Sequence, residues 1–189
     1  IAYNCLDRHM KTWRKNKVAL IWVGENDQER IFTYAELYRQ VNRCANALKK
    51  LGLQQGDRVT IYLPKIPEQV IAMLACARIG VVHSVVYSGF SAPALANRIN
   101  DAEAKLVITA DVGFDRGKII PLKPVVDEAV KTCPTIDHVV VVRREVQGPP
   151  LSAPKEIDWK EWIEQERPVC EAEQLDAEAP LYILYTSGT

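Results

Sequence analysis

Between Thr33 and Val142 the chain alternates stretches of helical periodicity with short, almost continuously apolar runs. Few folds accommodate that order. Thr33-x-x-Glu36 is a capping box, in which the threonine hydroxyl and the glutamate carboxylate each satisfy an N–H orphaned at a helix start. Leu37, Val41, Cys44, Ala45, Leu48 and Leu51 follow at helical spacing, and Gly52 supplies the stop. A short apolar strand is predicted from Val59 to Leu63, broken by Pro64 and Pro67. A helix from about Glu68 to Ile79, closed by Gly80, leads into the run Val81 to Val86, as expected of a strand covered on both faces. The order then repeats: a helix opened by Ser91 and Pro93 and ending near Ala102, a strand Leu106–Thr109, a helix Pro124–Lys131 and a strand His138–Val142. Such an alternation specifies an α/β fold, a mostly parallel sheet flanked by helices.

The remainder is less regular. Residues Arg143 to Glu156, with Gly148-Pro149-Pro150 and Pro154, read as an irregular surface excursion. Trp159 to Glu166 is a short amphipathic helix, and Leu181–Tyr185 reads as a last buried strand. There are no internal repeats and no low-complexity tract.

At 189 residues the chain can build one sizeable core, or one domain and part of another. Lys+Arg and Asp+Glu balance at 24 each, so no global field argues for nucleic acid or an anionic membrane. The five cysteines, Cys5, Cys44, Cys76, Cys133 and Cys170, are scattered and odd in number, with no C-x-x-C pair. That pattern argues against a disulfide framework and a zinc site, fits a reducing cytoplasm, and leaves each thiol as an expected small buried hydrophobe. His9, His83 and His138 stand too far apart for a local metal-ligand motif. No apolar stretch approaches the ~18 residues of a membrane span, and no signal peptide is visible. The absence of Met at Ile1 and the abrupt end after Thr189 lead to the expectation of truncation at both ends.

Three segments could carry chemistry. Tyr185-Thr186-Ser187-Gly188-Thr189 joins a strand to a turn of hydroxyls and glycine, the ingredients of a phosphate-gripping loop or of a plain turn. The sequence G-x-x-x-x-G-K-[ST] is absent, which disfavours nucleotide hydrolysis of the P-loop type. Asp115-Arg116-Gly117-Lys118 places two cations around a glycine, able to hold a phosphate or simply to form a solvated turn. Tyr87-Ser88-Gly89-Phe90-Ser91 follows a predicted parallel strand at the end where open α/β sheets bind ligands, although Ser91 as a helix N-cap explains it more simply.

Taken together these segments are more specific. Tyr3 to His9, Lys17 to Trp22, Ile66-Pro67-Glu68, Met73 to Gly80, Val82 to Val86, Gly89-Phe90-Ser91, Ala104 to Asp111 and the final Tyr-Thr-Ser-Gly resemble, in the same order, the N-terminal half of the acetyl-CoA synthetases. These are the AMP-forming short-chain acyl-CoA synthetases of the adenylate-forming superfamily. The resemblance implies an ATP- and CoA-dependent ligase working with Mg2+, in which acetate attacks the α-phosphate of ATP and the thiol of CoA then displaces AMP. It implies that Thr186, Ser187, Gly188 and Thr189 open a loop that holds ATP phosphates, and that Asp115, Arg116, Gly117 and Lys118 form a segment contacting the phosphates of CoA. There Lys118 matches the second cation of the family pattern, while Asp115 occupies the place of the first and Arg116 lies one position later. The acid pocket, the adenine contacts and the catalytic Lys of that family match nothing up to Thr189. A propionate or other short-chain ligase, and a non-catalytic nucleotide- or CoA-binding module, are the competing expectations.

Overall fold

A computed structural model of the chain describes residues 1–25, 27–144, 151–152 and 155–186. The first residues wind through a π-helical turn (Tyr3–Asp7), α1 (Arg8–Met10) and a 3-10 turn (Trp13–Asn16), the last capped by the Thr12 hydroxyl. Next, β1 (Val18–Val23) and β2 (Glu29–Thr33) pair antiparallel. Leu20, Trp22 and Phe32 pack against the core, while Ile21, Val23 and Ile31 face outward.

Both halves of the expected capping box open α2 (Tyr34–Lys50). The Glu36 N–H donates to the Thr33 hydroxyl at 3.2 Å, and the Thr33 N–H donates to the Glu36 carboxylate at 2.8 Å. The helix buries Leu37, Val41, Cys44, Ala45 and Leu48, the stripe its spacing predicts. Then follow β3 (Arg58–Tyr62), α3 (Pro67–Ile79), β4 (Val82–Val85), α4 (Ala92–Asp101) and β5 (Leu106–Ala110). Gly80 ends α3 at φ 73°, and a Cβ there would meet the Gln55 and Leu175 side chains at 2.9 Å, so glycine is required twice over. Beyond β5 the chain makes a small hairpin, β6 (Val112–Asp115) and β7 (Lys118–Pro121), and continues into α5 (Lys123–Val130), β8 (His138–Val142), β9 (Glu156–Asp158), α6 (Trp159–Glu164) and β10 (Tyr182–Ile183).

Six strands form one sheet in the order β10-β4-β3-β5-β8-β9, every neighbouring pair parallel. Right-handed crossovers then dictate the layers. The chain steps from β3 to β4 in one direction and returns to β5 in the other, so α3 and α4 lie on opposite faces. Accordingly α2, α3 and α6 pack in one layer and α4 with α5 in the other.

Four details depart from the sequence-based expectation. The excursion after Val142 contains the start of β9 at Glu156, although Gly148-Pro149-Pro150 and Pro154 fall outside the described residues. The last strand covers Tyr182–Ile183 rather than Leu181–Tyr185, because β10 is an edge strand paired only with β4 among the described residues. Ser91 holds the N-cap position of α4 but makes no capping hydrogen bond. Cys5 is exposed; the other four cysteines are buried, and none is disulfide-bonded.

Residues 165–181 cross from β9 at one edge to β10 at the other without regular structure. They are held by side chains of the α2–α3 layer. The Asn42 amide donates to the Pro168 carbonyl at 3.0 Å, and the Asn46 amide donates to the Arg167 and Val169 carbonyls, each at 2.9 Å. Arg78, whose side chain is wholly buried, donates from Nε to the Cys170 carbonyl at 2.7 Å and from both terminal nitrogens to Asp7 at 2.8 and 2.6 Å.

Candidate functional site

All six strands of the sheet run the same way, so their C-terminal ends share one edge. That edge is where ligands of open α/β sheets bind. The three candidate segments lie there: the hairpin after β5, the Tyr87–Ser91 turn after β4, and Tyr185-Thr186 after β10.

The segment Asp115–Lys118 forms the tip of the β6–β7 hairpin. Asp115 and Lys118 are register partners, and Arg116 (φ 51°) and Gly117 (φ 73°) are the two loop residues. Positive φ at both is the signature of a type I′ turn, whose twist matches the flanking strands. Glycine adopts that conformation freely, whereas Arg116 must be held in it at a cost of about 1–2 kcal/mol. The Gly117 N–H donates to the Glu25 carboxylate at 3.2 Å, which docks the hairpin against the β1–β2 loop. Arg116, Gly117 and Lys118 are exposed.

Behind this tip lies a cleft of about 360 Å³, lined by Trp22, Gly24, Glu25, Pro64, Lys65, Tyr87, Ser88, Phe114, Asp115 and Arg144. Each wall has a structural reason. The Trp22 indole N–H donates to the Lys65 carbonyl at 2.7 Å, fixing β1 against the end of β3. The Tyr62 hydroxyl lies 2.8 Å from both the Ser88 and the Phe90 carbonyl oxygens, so its one proton pins that turn. The buried Asp111 carboxylate accepts the Val112 N–H at 2.7 Å and the Arg144 N–H at 2.9 Å, clamping the ends of β5 and β8 together. The Arg144 guanidinium stacks 4.5 Å over the Phe114 ring. Burial pulls its pKa below the ordinary value, against the attraction of Asp111, Glu68 and Glu25.

Of the four hairpin positions, Asp115 is the one that lines the cleft; Arg116 and Lys118 do not. Lys65 and Arg144 are cationic cleft residues that the motif-based reading passes over. Arg144 carries a legible signal: it lies two residues beyond a parallel strand, at the edge where open α/β sheets bind ligands.

Thr186 lies three positions beyond β10 and is exposed; Ser187, Gly188 and Thr189 are outside the described residues. Its strand and β5 are three strand spacings apart, about 14 Å. The two candidate phosphate sites are therefore separate stations on one sheet edge. Among the described residues no group of three or more His, Cys, Asp and Glu side chains is placed to hold a metal ion, and no helix is long and apolar enough to cross a membrane.

A larger cleft, about 680 Å³, opens where α2, α3, β8 and α6 meet. Its basic residues Arg30, Arg43, Arg143 and Lys160 are matched by Glu68, Asp158, Glu161 and Glu164, and Arg30–Glu68 (2.6 Å) and Arg143–Asp158 (3.2 Å) are paired. That balance offers an anion little net attraction.

The acetyl-coenzyme A synthetases of Methanothrix thermoacetophila and Deinococcus radiodurans are each 52% identical to the chain, over 190 and 192 residues, and that of Pasteurella multocida is 53% identical over 190. Each match covers 100% of the chain and 29% of the relative, so the chain spans under a third of the length of these curated relatives. Residues 6–189 match the family described as AMP-binding enzyme, and with nearly the whole chain inside that match the protein belongs to this family of AMP-binding enzymes.

Proposed function

We propose that the chain forms part of an AMP-forming acetate–CoA ligase. What supports the reading is that two segments assigned to phosphates leave the same edge of the parallel sheet at separate places: Thr186 after β10, and the Arg116–Lys118 hairpin tip after β5. A two-step ligase needs two such places. In the first step acetate attacks the α-phosphate of ATP, giving acetyl-AMP and pyrophosphate; in the second the CoA thiol displaces AMP.

Within this chain, Thr186 begins the segment assigned to the ATP phosphates and is fixed from behind by Tyr185, whose hydroxyl donates to Asp101 at 2.5 Å. Arg116 and Lys118, exposed at the hairpin tip, supply charge for a CoA phosphate. Asp115 lines the cleft and, as an anion, is unsuited to replace the first cation; Arg116 takes that role. Mg2+ arrives with ATP and neutralises its phosphate oxygens. The acetate preference rests on the similarity to acetyl-coenzyme A synthetases. The free thiols of all five cysteines favour a reducing cytoplasm as the compartment.

The test is exchange of labelled pyrophosphate into ATP by the full-length protein with acetate, propionate or butyrate. Acetate-dependent exchange is expected, and exchange indifferent to the acid overturns the reading. Replacing both Arg116 and Lys118 with Ala is expected to raise KM for CoA and spare exchange; an equal loss of exchange would refute the CoA assignment.

A further inference from the structure

Tyr185 is placed with little help from the sheet. β10 contributes two paired residues, both to β4, and it lies at the sheet edge. Side chains of α4 do the rest. Asp101 accepts the Tyr185 hydroxyl, and the Arg98 guanidinium sits 5.2 Å from the Tyr185 ring centroid. The same guanidinium lies 4.3 Å from the Phe90 ring, which in turn meets Tyr87 edge to face with centroids 5.8 Å apart. Tyr87 lines the cleft behind the hairpin. A continuous stack, Tyr87–Phe90–Arg98–Tyr185, therefore runs from the cleft to the residue before Thr186.

The core has no use for Arg98. α4 buries Leu95, Ala96 and Ile99, whereas Arg98 and Asp101 are one turn apart on another side of the helix and both are turned to the loops. Arg98 is further fixed by donating to the Ala94 carbonyl at 2.9 Å. A flat cation between two aromatic faces holds both at a set spacing, which an aliphatic side chain does not do.

Building on the ligase reading, we propose that Arg98 is a positioning residue that ties the Tyr87–Phe90 turn to Tyr185, so that the cleft behind the hairpin assigned to CoA and the entry to the ATP-phosphate segment are set as one unit. Neither substrate touches Arg98. Its replacement disturbs both sites because each loop loses its shared spacer.

The experiment uses Arg98→Met in the full-length ligase, which keeps the stem and removes the cation. KM for ATP in acetate-dependent exchange and KM for CoA in the complete reaction are both expected to rise about two- to tenfold, the range that one or two partly exposed cation–π contacts support. The kcat of exchange is expected to change far less. Arg98→Lys, which keeps the charge but not the flat face, should fall between wild type and Met. Phe90→Leu and Tyr185→Leu are expected to be non-additive with Arg98 present and additive in Arg98→Met. Unchanged KM values, or a rise in one alone, beside an active wild type overturn the bridge and leave the ligase reading intact; a lowered Tm with normal KM values does so too. A wild type without acid-dependent exchange overturns both.

Discussion

Replacing Arg78 with Met tests what holds the ends of the chain to the helix layer. The guanidinium makes three hydrogen bonds of 2.6–2.8 Å, two to Asp7 and one to the Cys170 carbonyl, and also lies 5.4 Å from the Tyr38 ring. Met fills much of the same space but removes the charge. Asp7, whose side chain is 17% exposed, then keeps its carboxylate in a largely dehydrated place with no partner. Breaking a buried pair from one side costs about 3–5 kcal/mol, a large part of the 5–15 kcal/mol that stabilises a typical domain. Removing both charges should be far milder, because no ion remains stranded: the Arg78→Met/Asp7→Asn protein should recover more than half of the loss. Urea denaturation followed by tryptophan fluorescence suits the measurement, since Trp159 and Trp162 are buried in α6 and report the core. If Arg78→Met costs under about 1 kcal/mol, the pair behaves as a surface salt bridge and the reasoning fails. If the double variant is as unstable as the single one, stranded charge is not the cause.

Two further outcomes follow from residues at the ligand edge. Arg116→Asn puts a residue tolerant of the left-handed region into the hairpin, and should raise stability by up to about 1 kcal/mol while raising KM for CoA; a loss of stability, or an unchanged KM, contradicts this. The Tyr185 phenol is pushed up to about 12 by burial and by its hydrogen bond to Asp101. Its folded pKa exceeds the unfolded one, so its contribution to stability is complete below about pH 10 and is lost as pH rises toward 12. The stability difference between wild type and Tyr185→Phe should shrink across that window, as read by Tm against pH; a constant difference refutes the linkage.

Local signals survived folding where one element could satisfy itself. Thr33 and Glu36 close the same hydrogen-bonded box that their spacing implies, and the strands at Val59, Val82, Leu106 and His138 lie in the sheet as their apolar runs require. Pairing between segments was harder to read. Val18 to Val23 is apolar at every position, a pattern that does not separate a hairpin strand from a buried helix, so β1 carries no distinctive mark. The β6–β7 hairpin was legible as a charged glycine turn, but its strands are four residues each, and Lys118 to Pro121 are all exposed. Nothing periodic announces them. Arg144 and Lys65 reach the cleft through the sheet's topology, not through any motif of their own.

The crossing from β9 to β10 also has a temporal meaning. The first strand of the large sheet to be synthesised, β3, lies inside it, and the chain adds β4 on one side and β5, β8 and β9 on the other before β10 exists. The contacts that guide residues 165–181 join partners 92 to 126 positions apart, such as Arg78 with Cys170 and Asn42 with Pro168. Loops of that length close slowly, and only onto a layer already assembled. β10 and Tyr185 just beyond it are thus the last of the described elements to settle, which makes pairing along the β4 edge the step most open to error.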